Sequence, residues 1–225
     1  GELSWQRQWQ ALLVGARGRV LMNPIARSRS CAGGFSLIEL LIVIAILGFS
    51  AAMAVPGAVS WVRGLSVRNT AEGMRAGIER TRLEALRANT SMTFWLMSSG
   101  ADQPLDNHCG RSSTGTSWVI SVLNPAGSCL AAPSATVDPM LVERWSGREG
   151  GTSINLVGTS AAGAAADSVT CNSLGQVEPT GVQLAQIDIT HQSGDGRRLR
   201  VQIDPGGSVR TCDRDVAAGD PRACQ

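Results

Sequence analysis

Among residues whose type and setting could do chemistry, Glu39 comes first: a carboxylate near the start of an otherwise apolar run. An ionised carboxylate in hydrocarbon costs several kcal/mol unless it is paired, so the acid needs either a cationic partner or a position at headgroup depth. A second group is cationic. Arg197, Arg198 and Arg200 lie in one late segment, and Arg210, Arg214 and Arg222 lie in or near the C-terminal tail. A guanidinium is a permanently charged fork suited to phosphate, which makes DNA a candidate ligand of Arg197, Arg198, Arg200, Arg210 and Arg222. The competing reading is a solvated face whose arginines pair with Asp195, Asp204, Asp213, Asp215 and Asp220. No aromatic residue interleaves these arginines to stack on bases. The DNA reading expects weak duplex binding that weakens further when Arg197, Arg198 and Arg200 become Ala.

The thiols form the third group. Cys31 precedes the apolar run, and Cys109, Cys129, Cys171, Cys212 and Cys224 follow it. With no C-x-x-C, no Cys/His cluster and only His108 and His191 available, a zinc site is poorly supported, and disulfides in an oxidising compartment are the better reading. A Cys212–Cys224 bridge would pin the tail to the last strand, and a Cys109–Cys129 bridge would clamp the loops around one strand. Cys171 is then left over, and Cys171–Cys212 with Cys224 free remains an alternative. The neighbours His108 and Cys109 do not make a dyad, because such pairs are normally assembled from distant segments. No G-x-S-x-G, H-E-x-x-H or glycine-rich phosphate loop is present, so no enzyme activity, cofactor or metal is expected.

The elements that must position these residues follow from periodicity. The stretch opened by Phe35 stays apolar for about 20 residues, roughly the length that spans a bilayer core. It is longer than a signal-peptide core and carries an acid near its start, which argues against a secretory signal peptide. Arg7, Arg17, Arg19, Arg27 and Arg29 precede it against Glu2 alone, so the leading flank stays cytoplasmic and the rest lies outside the cytoplasm. Pro56 kinks the helix without ending it. Beyond it, Val67, Ala71, Met74, Ile78, Thr81, Ala85 and Ala88 form one mostly apolar stripe, and Arg75–Glu79, Arg80–Glu84, Glu72–Arg75 and Glu79–Arg82 sit at helical pairing distances. One long helix over residues 35–88 is expected.

After Asn89 come short β-prone runs at 92–97, 118–123, 140–145, 153–157, 168–172, 185–191, 198–203 and 208–212, separated by turn residues. Their spacing predicts an antiparallel β head. The run 92–96 is nearly continuous, as in a buried strand, and 198–203 alternates, as in a half-exposed one. Residues 102–115 and 158–166 read as loops, the latter flexible. The fold class is therefore α+β, a long N-terminal helix packed on a C-terminal antiparallel sheet. The domains are a leader at 1–34, a transmembrane segment at 35–55, an amphipathic continuation at 56–88 and a head at 89–225.

Gly33-Gly34-Phe35-Ser36-Leu37-Ile38-Glu39-Leu40-Leu41 resembles the class III signal of type IV prepilins and type II secretion pseudopilins. The resemblance implies cleavage after Gly34 by a prepilin peptidase and methylation of the new amino terminus at Phe35. It makes Glu39 the acid that pairs with a neighbouring subunit's ammonium during assembly, and Pro56 the helix-kinking proline. The rest of the chain resembles the FimT/GspH branch, through the long helix, the β-rich head and a tail running from Gly207-Ser208-Val209-Arg210-Thr211-Cys212 to Gly219-Asp220-Pro221-Arg222-Ala223-Cys224. FimT-like proteins often carry a G-R-x-R element and are implicated in DNA uptake. Here Ser208 replaces the first arginine of that element. Thirty-four residues is a long leader, and a start at Met22 would leave a short basic one, with residues 1–21 outside the native chain.

The resemblance implies a minor pilin placed in the inner membrane with its head in the periplasm, then built into or beneath the tip of a type IV pilus. Its partners would be prepilin peptidase, other pilins through the N-terminal helix, the membrane and, as a further candidate, DNA. A GspH-like minor pseudopilin of a type II secretion system is the alternative, and a tip-displayed adhesion or DNA-binding module is a third class.

Overall fold

A computed structural model describes residues 35–100, 103–151, 153–194 and 196–224. The leader, with Gly34 and Cys31, lies outside the described residues, as does Asp195. Residues up to Leu47 form one unit and those from Gly48 onward a second.

Phe35 and Ser36 precede a helix, α1, over Leu37–Ala88. Its first turn is anchored by the Leu40 amide donating to the Ser36 carbonyl at 3.1 Å. Among the described residues no single helix is long and apolar enough to cross a membrane. The pair Leu37–Met53 and Gly57–Ala88 meets that length and composition together, with a bend at the break between them. Asn89 ends the helix with a positive φ of 50°, a conformation that asparagine tolerates at a helix C-terminus.

The expected stripe is the buried face of α1: Val67, Ala71, Met74, Ile78, Thr81 and Ala85 are all sealed from solvent. Ala88, at the helix end, is exposed. Arg75 pairs with Glu79 at 2.8 Å and Arg80 with Glu84 at 3.0 Å. No pair forms between Glu72 and Arg75 or between Glu79 and Arg82. Instead Arg87 reaches Glu84 at 2.7 Å, and Glu84 itself is only 3% exposed. Arg80 also holds Glu143 at 3.1 Å, so one arginine ties the helix to the sheet.

Among the described residues nine strands follow: β1 Met92–Ser98, β2 Gly110–Arg111, β3 Ser117–Ser121, β4 Leu141–Trp145, β5 Ile154–Thr159, β6 Ser168–Cys171, β7 Gln186–His191, β8 Leu199–Ile203 and β9 Val209–Asp213. They form two antiparallel sheets. In the first, β1 pairs with β3, which pairs with β4, while the other edge of β1 is shared by β6 along its first half and β2 at its end. The second sheet has the order β5-β7-β8-β9.

One core lies between α1 and the inner faces of both sheets. Val67, Ala71, Met74 and Ile78 meet Phe94, Leu96, Trp118 and Ile120 from the first sheet, with Ile154, Leu156, Ile187, Ile189 and Val201 from the second. Apolar area removed from water stabilises such a core at about 25 cal/mol per Å². On the outer face of the first sheet, Met97, Val119 and Leu141 pack with Leu105 and Cys109 from the loop before β2 and with Cys129 from the loop after β3.

β1 is buried along nearly its whole length and β8 alternates, as their compositions require. Two loop expectations are corrected. Residues 102–115 contain β2, whose Arg111 faces Met97 across the ladder. Residues 158–166 are closed as a hairpin: β5 continues to Thr159, which bridges Ala165, and the Ser160 amide donates to the Ala164 carbonyl at 2.8 Å. Small residues allow this tight reversal, which composition alone reads as looseness.

Candidate functional site

The N-terminal group is built by the helix start. Phe35 is 85% exposed, and Glu39 is an exposed acid in the first turn of α1. There the unpaired amides present partial positive charge, a setting that favours a carboxylate. Among the described residues no ion pair within the chain holds Glu39. Pro56 falls in the break between Leu37–Met53 and Gly57–Ala88.

The arginine group is displayed on the outer side of the second sheet. The parity that buries Leu199, Val201 and Ile203 of β8 turns Arg200 and Gln202 outward. Arg200 faces Asp188 on β7 and Cys212 on β9. Its guanidinium donates to both carboxylate oxygens of Asp188, Nε at 2.6 Å and Nη2 at 2.8 Å, and this bond raises the Arg200 pKa despite partial burial. Arg214 approaches the same carboxylate at 3.1 Å.

Arg198 is bound as firmly. Its backbone amide and its Nε donate to Asp215 at 2.8 and 2.6 Å. Burial pushes the Asp215 pKa up, but the bonds and charge of Arg198, helped by Arg214, leave it below the ordinary value. Arg222 forks onto Asp220 at 3.0 and 2.8 Å, and that contact brings the Asp220 carboxyl down to about 2. Arg197 is held more loosely, 4.0 Å from Asp213. Arg210 stands exposed on β9, opposite Gln202. Arg200 on β8 and Arg198 just before it thus meet carboxylates that engage them, and Arg222 forms a local pair in the tail.

The described thiols fall into two states. Cys109 and Cys129 are bridged, as are Cys212 and Cys224, and Cys171 is a buried free thiol. The second bridge fixes the tail: the Asp213 amide donates to the Arg222 carbonyl at 2.7 Å, and Asp213 pairs in parallel with Ala223. Cys109 is committed to its disulfide, and His108 is 92% exposed beside Asp106, so these two form no nucleophile–base pair.

Two groups escaped sequence reasoning. Gly73 and Gly77 on α1 face aromatic rings: a Cβ on Gly77 would lie 2.6 Å from Trp118 and 2.8 Å from Phe94, and one on Gly73 would lie 2.8 Å from Trp145. Trp118 stacks on Trp145 with centroids 6.3 Å apart and donates its Nε1 hydrogen to the Gly73 carbonyl at 3.0 Å. The four-residue glycine spacing was the available signal. The other group is a cavity of about 580 Å³ lined by Ser60, Trp61, Gly64, Leu65 and Arg68 of α1 with Gly196, Arg197 and Asp215. A tryptophan and an arginine soon after a long uncharged stretch were its trace.

Comparison with known proteins adds one family model: the prokaryotic N-terminal methylation motif matches residues 29–55. No curated protein matches the chain. Two crystal forms of the type IV minor pilin FimU of Pseudomonas aeruginosa (strain PAO1) are similar in structure at 15% identity and a TM-score of 0.40. The similarity covers 64% and 70% of this chain and 86% and 99% of those chains. The chain thus carries a prokaryotic N-terminal methylation motif that runs from before Gly34 into α1, with an antiparallel head in the residues that follow.

Proposed function

We propose that this chain is a minor type IV pilin of the FimT-like branch. Prepilin peptidase cuts after Gly34 and methylates Phe35, residues 35–55 hold the protein in the inner membrane, and the head over 89–225 sits in the periplasm. The helix then joins other pilins in or beneath the pilus tip. The methylation motif over residues 29–55, leading into a helix with an acid in its first turn, carries this reading. Glu39 supplies the charge that an ammonium of a neighbouring subunit neutralises in hydrocarbon. Pro56 supplies the bend, since its ring removes a backbone hydrogen bond from the helix.

Glu39→Val in the full chain tests it. The expected outcome is unchanged cleavage, read as the mass of a mature chain beginning at Phe35, with loss of the protein from sheared filaments. Absence of cleavage when prepilin peptidase is co-expressed with the unaltered chain would sink the proposal. A deletion strain that keeps its pili and fails to export protein would move the chain to type II secretion as a GspH-like pseudopilin. Loss of DNA uptake with normal piliation would make it a DNA receptor. The arginine face supports assembly over DNA reception, because carboxylates already engage Arg198, Arg200 and Arg222.

A further inference from the structure

We propose that the end of the head where α1 stops is a docking surface for another protein, and that Arg82 there receives a carboxylate flanked by apolar side chains. Every residue involved lies on the last turns of α1 or in the β head, so the surface is independent of the pilus reading.

Arg82 is only partly exposed, and its Nε is sealed from solvent with no hydrogen-bond partner among the described residues. A solvated guanidinium loses nothing by lacking a partner, but one stripped of part of its hydration carries a penalty until an acceptor replaces that water. The acids around it are engaged elsewhere. Glu79, one turn back on the helix, holds Arg75 at 2.8 Å. Glu178, which acts on Cys171 alongside Arg82, accepts from the Ser91 hydroxyl at 2.5 Å. Asp204, in the turn between β8 and β9, accepts from the Ser208 hydroxyl at 2.7 Å.

Two turns wall the inner part of this side chain. At 172–176 the Gly175 amide donates to the Asn172 carbonyl at 2.8 Å, and at 204–208 the Gly207 amide donates to the Asp204 carbonyl at 2.8 Å. A Cβ on Gly175 would stand 3.1 Å from Arg82 Nε and 3.2 Å from Leu86 Cδ1, and one on Gly207 would stand 3.3 Å from Arg82 Cδ. The surround is apolar. Leu83 and Leu86 are 57% and 44% exposed, and Leu174, next to Gly175, is 71% exposed. Leu86 stands four residues from Arg82 and three from Leu83, so it neighbours both on the helix surface, and the Gly175 turn brings Leu174 to the same place. A free anion would answer the arginine and leave the leucines in water. A protein segment with an acid set among apolar residues answers both, the cation selecting the carboxylate and the leucines its neighbours.

The test places the photo-crosslinker benzoylphenylalanine at Leu83 of the full chain in a deletion strain and maps the crosslinked peptides by mass spectrometry. They should fall in another protein, within a few residues of an aspartate or glutamate in an apolar stretch. Arg82→Gln should lower their yield about tenfold, with the thermal midpoint of the purified chain unchanged or raised because an unpaired charge is gone. Arg82→Lys should keep part of the yield. An unchanged yield in Arg82→Gln would overturn the carboxylate assignment. Crosslinks only to lipid or to a second copy of this chain, or none at all, would overturn the partner. A lowered midpoint in Arg82→Gln would make the arginine a structural group and overturn the site. Filaments sheared from the same cells report on the pilus reading separately: a chain absent from them with its crosslinks intact would sink that reading and leave this surface standing.

Discussion

Gly77 concentrates two opposing effects in one position. Replacing a glycine inside a helix by alanine gains up to about 1 kcal/mol from backbone entropy. The new Cβ would meet the Trp118 ring at 2.6 Å and Phe94 at 2.8 Å, and overpacking a filled core costs about 1–3 kcal/mol. Overpacking wins, so Gly77→Ala should lower stability by about 1–2 kcal/mol in a denaturant titration. Gly64→Ala, with nothing within 4 Å of its Cβ, should be neutral or stabilising. Equal effects at the two positions would show that the rings do not fill the notch. Cys171 makes a separate case. Burial, with a smaller push from Glu178 that Arg82 opposes, raises its thiol to about 11. A raised folded pKa means the associated stability is intact below the ordinary thiol value of about 8.5 and is lost as pH rises toward 11. In a Cys31→Ser chain, Cys171 should therefore resist alkylation at pH 8 and react after denaturation, as counted by intact mass. Rapid labelling of the folded chain would contradict its placement.

At the scale of elements, the second sheet is held on its outer side by Asp188, which accepts from Arg200 on β8 and is approached by Arg214 just after β9. Arg200 and Asp188 are both about one-fifth exposed, so solvent screens this pair less than a surface one. Arg200→Ala should cost about 1–3 kcal/mol, since it strips a bidentate partner from a half-buried carboxylate. Arg222→Ala, whose pair is far more exposed, should change thermal stability little. A larger effect from Arg222 would reverse this ranking. The eight longer strands were legible because alternation and turn residues are local signals. β2 was not, because two residues carry no period and its support is the distant partner Met97. The 158–166 hairpin was missed for a related reason: glycine and alanine permit a tight turn as readily as a loose one, and the bridge from Thr159 to Ala165 decides between them. The four-residue spacing gives Glu84 its partner Arg80, but its burial depends on where Arg80 and Arg87 fold over it.

Across the whole molecule, the sites divide by whether their parts are close in sequence. Phe35 and Glu39 lie four residues apart, so their pattern is legible in a single short window of sequence. The cavity beside Trp61 needs a turn more than a hundred residues away, and no local pattern announces that meeting. The seating of α1 on the head is of the same kind. Its glycines are notches only because Phe94, Trp118 and Trp145 occupy them. Rings set into notches and a tryptophan donor fixed to the Gly73 carbonyl mean that the helix cannot slide along the sheet by a fraction of a turn without first expelling an aromatic side chain. A pull along the helix axis therefore loads this joint in shear with no slack, and the head follows the helix until the joint itself yields.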